Sequence, residues 1–329
     1  MLNMQSDLSK TMQCQLCGSS EFTPVLSVDN AHFSSRIKAF TIMRCAKCEL
    51  STIDPFPTLK DVEELYVKEG VFSIVVPNPY QESVSFKFLE PLYQKYGNDL
   101  YFIASQCWKL TSGNRRVLDV GSGIGRLLSW FAQMPGCDLQ EIYGIDIDPQ
   151  AKTNALPAVR ERILIDDFLA HKFDQKFDII TMRFVIEHLL DFKAYLDHAL
   201  DLLKPGGILF FSTPDLDSAQ ARQLKQNWVL IHDPNQKIGH VRWFNRRSVH
   251  YLADQMGLRI EKYANRGQFI YHLPVPVQKF LTKVLGTEPQ TNRFIRYYTP
   301  RIIYATWFDG VLSQLLNWGD GLYVFMRKQ

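Results

Sequence analysis

The sequence predicts an α/β protein, a parallel sheet covered by helices on both faces, with a small cysteine-rich unit before it. Strand-like and helix-like segments alternate from Arg116 onward, and a glycine-rich turn separates the first of these strands from the first helix. Two Cys-x-x-Cys pairs precede the whole pattern. Alternation of this kind implies right-handed crossovers, so a ligand is expected at the carboxyl ends of the strands.

Length and composition narrow the class of protein further. The 329 residues exceed a typical single domain, and the 46% apolar and 22% charged fractions are ordinary for a globular protein. A net charge of +3 is too small to indicate a nucleic-acid partner. The N-terminal stretch lacks the features of a signal peptide, and no run reaches the roughly eighteen apolar residues of a membrane span. We therefore expect a cytoplasmic protein with no transmembrane segment.

The two cysteine pairs predict a structural zinc site. Cys14 and Cys17 form the first pair, and Cys45 and Cys48 form the second. Two such turns can close a tetrahedral shell of four thiolates around Zn²⁺. The spacing between the pairs exceeds the usual span of about 15 to 20 residues and leaves room for a hairpin of “FTPVLSV” and “FTIMRC”. The alternatives are two pairs of thiols that bind no metal and a redox-active site. A redox-active Cys-x-x-Cys motif occurs once in a protein, near a βαβ pattern, whereas here two pairs precede any such pattern.

The remaining elements follow in order. “DPFPTLKDVEELY” predicts a turn and a helix, and residues 80–110 show helical spacing of apolar side chains. The predicted strands are “VLDVG”, “EIYGIDI”, “RILID”, “FDIITM” and “ILFFST”. The helices between them are “IGRLLSWFAQM”, “PQAKTNALP” and “FKAYLDHALDLL”, the last of which is ended by “KPGG”.

The glycine turn argues against a dinucleotide ligand. Gly121 and Gly123 fit the Gly-x-Gly-x-x-Gly fingerprint, but the third glycine comes one residue early, at Gly125. Asp119 stands two residues before the first glycine. An acid there suits the ammonium group of an amino acid better than a pyrophosphate. A plain strand-to-helix turn is the alternative.

With these residues in place, the sequence over about 115–265 resembles the class I S-adenosylmethionine-dependent methyltransferases. The resemblance implies a Rossmann-like seven-stranded sheet, mostly parallel, with an antiparallel strand seven. It also implies cofactor contacts: Asp119, Gly121, Gly123 and Gly125 for the methionine part, Asp146 for the ribose, and Asp166 and Asp167 for the adenine. A helix cap at Asp146 and a solvated loop at Asp166 and Asp167 are the alternatives.

The segment “RFVIEHLLDF” follows the fourth predicted strand. The resemblance places this segment beside the sulfonium of the cofactor. Methyl transfer to oxygen or carbon requires removal of a proton, and His188 is the candidate base because its ordinary pKa lies near neutrality. Glu187 is expected to orient His188 or to bind an acceptor hydroxyl. Alternatively, both residues only shape the turn.

The four-cysteine unit, a helical linker, the core and the “IEHL” signature together are similar to sugar methyltransferases of deoxysugar and surface-polysaccharide pathways. This closer resemblance implies a histidine base assisted by a linker tyrosine, for which Tyr80 is the candidate. Those enzymes carry a second large C-terminal domain, and this chain stops too soon for one. Shorter zinc-headed methyltransferases with varied acceptors are therefore the better comparison.

Two later segments complete the expectations. His240 is expected to reach the acceptor and Arg242, Arg246 or Arg247 to hold a phosphate, with a packed loop and solvated arginines as the alternative. “GLYVFMRK” is expected to be strand seven, which makes residues 266–318 an insertion. That insertion could be a lid packed on the core, a homodimer surface, or a peripheral membrane contact through 290–317.

The sequence thus predicts a zinc-ribbon-like module at 1–60, a helical linker at 61–112 and a methyltransferase domain at 113–329. The expected function is transfer of a methyl group from S-adenosyl-L-methionine to an oxygen or carbon of a sugar, glycan precursor or related small molecule. Two alternatives stay open, an NAD(P)-dependent oxidoreductase acting on a nucleotide sugar and a catalytically inactive interaction module.

Overall fold

The computed structural model describes residues 12–29, 31, 33–69, 98–231, 239–267, 273–285 and 312–329. Its strands in chain order are β1 (Phe22–Val28), β2 (Phe40–Cys45), β3 (Ser51–Asp54), β4 (Val117–Val120), β5 (Ile142–Asp146), β6 (Ile163–Ile165), β7 (Phe177–Arg183), β8 (Leu203–Pro214), β9 (Arg242–Trp243), β10 (Leu258–Arg266) and β11 (Gly321–Lys328). Its helices are α1 (Leu59–Glu69), α2 (Asp99–Leu110), α3 (Arg126–Phe131), α4 (Pro149–Thr153), α5 (Phe192–Leu202), α6 (Ala219–Leu224), α7 (Arg246–Gln255), α8 (Val275–Leu285) and α9 (Ser313–Leu316).

The large sheet confirms the predicted fold class. It has seven strands in the order β10-β11-β8-β7-β4-β5-β6. Strand β11 runs antiparallel to both of its neighbours, β8 and β10, and the other pairs are parallel. The strand order reverses beside β4, so the carboxyl ends of β4, β5 and β7 form the edge where a ligand is expected.

The small sheet joins the cysteine-rich unit to the larger one. Strands β1 and β2 are the predicted hairpin, and β3, which was not predicted from the sequence, extends it to an antiparallel meander. Its fourth strand is β9, in which Trp243 pairs with Ser51. Because β9 comes from the segment after the large sheet's β8, the two units share backbone hydrogen bonds. The division at residues 60 and 112 stays a prediction.

The core explains why the strands of the large sheet read as continuous apolar runs. Successive residues of β4 point to opposite faces, so Leu118 packs with α5 and α7 while Val117 packs with α2 and α3. All four residues of β4 are buried. A third cluster joins the small sheet to the segment after β8 through Trp228 and Trp243.

Two local predictions need correction. The helix after the glycine turn is shorter than “IGRLLSWFAQM”, because α3 covers only Arg126–Phe131. Strand β8 begins at Leu203, so “KPGG” lies within the strand, where the register against β7 shifts. Of the helical stretch at 80–110, the structure describes α2. Within the described ranges, no helix has both the length and the apolar character needed to cross a bilayer.

Candidate active site

The glycine turn joins β4 to α3 through backbone that only glycine accepts readily. Gly121 and Gly125 have φ values of 69° and 77°, in the left-handed region. A Cβ atom added at Gly121 would lie 2.5 Å from Val185 Cγ2, and one added at Gly125 would lie 2.6 Å from Val159 Cγ2. Gly123 shares the left-handed conformation. The turn therefore presents bare backbone at the carboxyl end of β4.

Asp119 lies within β4 and is almost completely buried. Its Oδ1 accepts a hydrogen bond from the Thr181 hydroxyl at 2.6 Å. Burial raises the pKa of Asp119 to about 7, while the Thr181 bond and the charge of Arg183 act in the opposite direction. A carboxyl group held near its ionisation point can gain its charge when a cationic group binds beside it.

Asp146 ends β5 and ties that strand to the glycine turn. Its Oδ2 accepts a hydrogen bond from the Gly123 amide at 2.7 Å, and its Oδ1 accepts one from the Asp148 amide at 3.0 Å. Burial raises its pKa. The N-cap of α4 is Asp148, which accepts from the Gln150 amide. The helix-cap alternative for Asp146 is therefore wrong.

Asp166 and Asp167 follow β6 and are both exposed. The Asp166 amide donates to the Asp146 carbonyl at 3.1 Å, which brings this loop to the end of β5. Its carboxylate lies 2.8 Å from Nδ1 of His171, and that contact lowers the pKa of Asp166. Asp167 accepts from the Leu169 amide at 2.8 Å. Adenine contact by either residue stays a prediction.

The turn after β7 touches the glycine turn. Phe184, its first residue, has a φ of 53°, which is an outlier for a bulky side chain and typical of strained functional sites. Its amide donates to the Ser212 carbonyl at 3.0 Å. Val185 follows and packs against Gly121. Glu187 and His188 therefore lie only a few residues beyond a direct contact with the predicted cofactor turn.

His240 joins Glu187 and His188 in one cluster. One carboxylate oxygen and one ring nitrogen of each histidine all lie within 4.8 Å of one another. Glu187 Oε1 is 3.9 Å from His240 Nε2, and the centroids of the two imidazole rings are 4.6 Å apart. The Val241 amide donates to the Glu187 carbonyl at 2.9 Å, which fixes the two segments together. The sequence predicted these residues one by one, and the structure brings them together.

Burial sets the charge of this cluster. It raises the pKa of Glu187 to about 8, lowers that of His188 to about 4, and lowers that of His240 well below its ordinary value. Both imidazoles are therefore neutral at physiological pH. Among the described residues, no hydrogen bond of normal geometry reaches either carboxylate oxygen of Glu187, although the nearby Thr213 hydroxyl slightly lowers its pKa.

Arg242 is fully buried, and its guanidinium is engaged by the turn after β7. Its donors reach three backbone carbonyls of that turn, those of Ile186, Leu189 and Leu190. Gln15 Oε1 accepts a further bond at 2.5 Å, and burial lowers the pKa of Arg242 to about 9. The expectation that Arg242 holds a phosphate is contradicted, because its guanidinium faces backbone carbonyls in the interior. Arg242 instead supports the turn that carries Glu187 and His188.

The four predicted zinc ligands converge. Cys14 Sγ lies 3.4 Å from Cys48 Sγ, and Cys17 Sγ lies 3.4 Å from Cys45 Sγ. All four are free thiols with their sulfur atoms within 4.8 Å of one another. Zn–S bonds of about 2.3 Å in a tetrahedron separate sulfurs by roughly 3.8 Å, so a small expansion accommodates the ion. The donor set fits Zn²⁺ and leaves no open coordination position.

The sequence interpretation missed Gln15, which lies between the first two cysteines. Its Nε2 donates to the Leu190 carbonyl at 3.0 Å, and its Oε1 accepts from Arg242. Its only sequence signal is its place inside the first cysteine pair. Tyr80 lies outside the described residues, as does most of the 290–317 segment.

Comparison with known proteins assigns the family. A family model of a methyltransferase domain matches residues 93–263. Ubiquinone biosynthesis O-methyltransferases of Histophilus somni and Pasteurella multocida are 32% and 31% identical to this chain over 135 and 158 residues. These matches cover 38% and 43% of this chain and 54% and 60% of the two relatives. The chain therefore spans little more than half the length of these relatives.

A solved structure with a similar fold is the N-methyltransferase NodS from Bradyrhizobium japonicum WM9, bound to S-adenosyl-L-homocysteine. It is 15% identical with a TM-score of 0.42, and the match covers 80% of this chain and 97% of that one. The family match extends over more than half of this chain and includes β4 to β9 with their turns. It sets aside the oxidoreductase alternative. The chain belongs to the methyltransferase-domain family.

Proposed function

We propose that this protein transfers the methyl group of S-adenosylmethionine to an oxygen or carbon atom of a sugar, glycan precursor or related small molecule. One observation carries the proposal: Val185 packs on Gly121, so the buried cluster of Glu187, His188 and His240 lies next to the cofactor turn. Methyl transfer requires an acceptor atom held in line with the sulfonium and, for oxygen or carbon, a group that assists proton loss.

A polar cleft at the end of β8 is the proposed acceptor pocket, and its polarity favours a hydroxyl-rich substrate. A cleft of about 300 Å³ opens at the carboxyl end of β8, next to β7 in the sheet, and its lining residues are Glu49, Asp215, Asp217, Asn245, Arg246 and Arg247. Carboxylates, an amide and guanidinium groups offer both acceptors and donors to sugar hydroxyls. The relatives are named O-methyltransferases, and this supports oxygen over carbon as the accepting atom.

Each residue of the site receives a proposed role. Asp119 and the glycine turn bind the methionine part of the cofactor, Asp146 binds the ribose hydroxyls, and Asp166 or Asp167 meets the adenine. A carboxylate can accept both ribose hydroxyls with its two oxygens. His188 is the proposed base, with a neutral imidazole at working pH. Glu187 and His240 face the same acceptor, and Tyr80 is the proposed assistant from the linker.

The four cysteines are proposed to hold one structural Zn²⁺, which supports the active-site turn through Gln15 and Arg242. We expect about one zinc ion per chain bound by thiolates. Serine substitutions at Cys14 and Cys45 remove one ligand from each pair and are expected to abolish that zinc and lower the melting temperature. Serine at Cys137, outside the cluster, is the matched control. Retention of the thiolate-bound zinc in the double variant would contradict this assignment.

Isothermal titration calorimetry tests the cofactor assignment directly. S-adenosylhomocysteine is expected to bind with micromolar affinity, on the order of −8 kcal/mol, whereas NAD⁺ and NADP⁺ show no heat. Transfer of labelled methyl from S-adenosylmethionine to a panel of sugar nucleotides, quinols and catechols then identifies the acceptor class. Failure to bind S-adenosylhomocysteine would favour the inactive interaction module.

A further inference from the structure

The cluster of Glu187, His188 and His240 has the composition of a metal site. We propose that these three residues bind a divalent transition-metal ion through one carboxylate and two imidazole ligands. Their potential ligand atoms lie within 4.8 Å of one another, so a point equidistant from them is at most about 2.8 Å from each. Bond lengths to such ions are about 2.0 to 2.2 Å, so side-chain shifts below 1 Å close the shell.

The hydrogen bonds of the histidines match those of metal ligands. Nδ1 of His240 lies 2.7 Å from the Leu230 carbonyl, and Nδ1 of His188 lies 3.2 Å from the Gly239 carbonyl. A backbone carbonyl at Nδ1 fixes the tautomer in which Nε2 carries the lone pair, as in most metal-binding histidines. Nε2 of His240 then points toward Glu187 Oε1 at 3.9 Å. An ion between these two atoms bridges that gap.

Glu187 supplies the second, independent observation. Its side chain is fully buried, and no hydrogen bond of normal geometry reaches either carboxylate oxygen among the described residues, although the nearby Thr213 hydroxyl lowers its pKa. A buried carboxyl group without a well-formed hydrogen bond is energetically unfavourable. The charges of Arg183 and Arg242 act on Glu187, but neither guanidinium forms a hydrogen bond with its carboxylate. Arg242 donates instead to backbone carbonyls and to Gln15. A bound cation removes the penalty and accounts for a glutamate at this position.

The ligand set indicates which ions fit. Two imidazoles and one carboxylate suit Zn²⁺, Fe²⁺, Co²⁺ or Mn²⁺ better than Mg²⁺ or Ca²⁺, which prefer oxygen ligands only. Three protein ligands leave at least one coordination position for an acceptor oxygen. The four-cysteine site differs because its shell is already complete. The two clusters therefore predict one closed and one open metal site in the same chain.

This site deepens the proposed function and rests on it, because the ion acts on the acceptor hydroxyl. Beside the ion the hydroxyl releases its proton to solvent more readily. The oxygen then attacks the methyl carbon as the carbon–sulfur bond breaks, and the electron pair of that bond stays on sulfur. R–OH and S-adenosylmethionine thus yield R–OCH₃, S-adenosylhomocysteine and one proton. With the ion bound, His188 acts as a ligand instead of the base.

Cobalt content and spectra of the full-length protein test the site. Wild-type protein expressed with Co²⁺ in place of zinc is expected to hold about two ions per chain, one in each cluster. Thiolate-bound Co²⁺ shows intense near-ultraviolet charge-transfer bands, whereas the nitrogen- and oxygen-bound ion shows only weaker visible bands. Glu187→Gln and His240→Asn are both expected to lose one ion and those weaker bands, and to keep the charge-transfer bands.

The controls separate this proposal from the proposed function. Glutamine preserves the shape of Glu187, and asparagine keeps a donor near Nδ1 of His240, so both variants keep the local packing. His250→Asn, on the exposed face of α7, is expected to keep both ions. Equal cobalt content and spectra in wild type and both cluster variants would overturn the site. If wild-type protein holds only the thiolate-bound ion and still binds S-adenosylhomocysteine, the metal site at Glu187, His188 and His240 is rejected and the proposed function is not. If wild-type protein does not bind S-adenosylhomocysteine, the proposed function is rejected.

Discussion

The cofactor side and the acceptor side of this site are built in different ways. The cofactor side comes from nearly continuous chain, from Asp119 through the glycine turn to Asp146, and rests on backbone geometry and short hydrogen bonds. The acceptor side joins Glu187 and His188 to His240, from a distant segment. It also depends on Arg242 and on Gln15 in the cysteine-rich unit. One side is specified locally, and the other is assembled by tertiary contacts.

This difference has an energetic consequence. On the cofactor side, glycines remove steric conflict and the carboxylate of Asp146 has amide partners. Burial shifts pKa values on both sides, at Asp119 and Asp146 as well as at the acceptor-side cluster, but on the acceptor side no hydrogen bond of normal geometry reaches the Glu187 carboxylate within the described residues. Perturbed ionisable groups concentrate at sites of chemistry, because a reacting centre uses groups that are not at their own energetic optimum. Changes on the two sides should therefore affect different measurements.

The largest effect is expected from His188→Ala. Turnover should fall by about 10²- to 10⁴-fold, because either the base or a metal ligand is removed from the acceptor. Affinity for S-adenosylhomocysteine should stay within about twofold, since the glycine turn and Asp146 are untouched. Single-turnover methyl transfer and calorimetry on the same samples give both values. With His250→Asn as control, retained turnover in His188→Ala would show that the cluster is not the chemical site.

The complementary change, Asp146→Ala, should weaken cofactor binding and leave the cluster of Glu187, His188 and His240 intact. Loss of hydrogen bonds from a charged acceptor corresponds to about 1.5 to 3 kcal/mol, or roughly 10- to 150-fold weaker binding of S-adenosylhomocysteine. Asp148→Ala is the matched control, because Asp148 caps α4 and should lower stability by about 1 kcal/mol without changing affinity. Unchanged calorimetric affinity in Asp146→Ala would remove the ribose assignment.

The sequence predicted the cofactor side more completely than the acceptor side, because the cofactor side is specified by local sequence and the acceptor side by tertiary contacts. Glycines at fixed spacing and an acid at a strand end are local signals, and the predicted strands of the large sheet are present in the expected order. Arg242 was misassigned because its partners are backbone carbonyls in a different segment, which have no sequence signature. The convergence of His240 with Glu187 depends on pairing across the core. The strained backbone at Phe184 depends on its contact with β8.

Asp119→Asn gives a smaller effect that appears as a change in pH dependence. The folded pKa of about 7 lies above the ordinary value near 3.9, so between those values the folded state holds a proton that the unfolded chain has released. Wild-type stability should therefore decline as pH rises, by up to about 1.4 kcal/mol per pH unit from this group. Between pH 5.0 and 6.5, urea unfolding should show about 2 kcal/mol less decline in Asp119→Asn. Parallel pH profiles would mean that Asp119 is already ionised in the folded protein.

The smallest effect, and the one that links the two sides, is expected from Gly121→Ala beside Gly113→Ala. Both glycines have left-handed φ values, 69° and 77°, so each alanine should cost about 1 kcal/mol of stability. Only at Gly121 does the new Cβ meet a neighbour, Val185, while nothing lies within 4 Å at Gly113. Val185 lies two residues before Glu187 in the chain. A loss of turnover at saturating S-adenosylmethionine that is confined to Gly121→Ala, with unchanged affinity for S-adenosylhomocysteine, would therefore show that the glycine turn positions the acceptor side. Equal turnover in both variants would mean that the two sides touch without mechanical coupling, and that other tertiary contacts, such as those of Arg242 and the Val241 amide, hold the cluster in place.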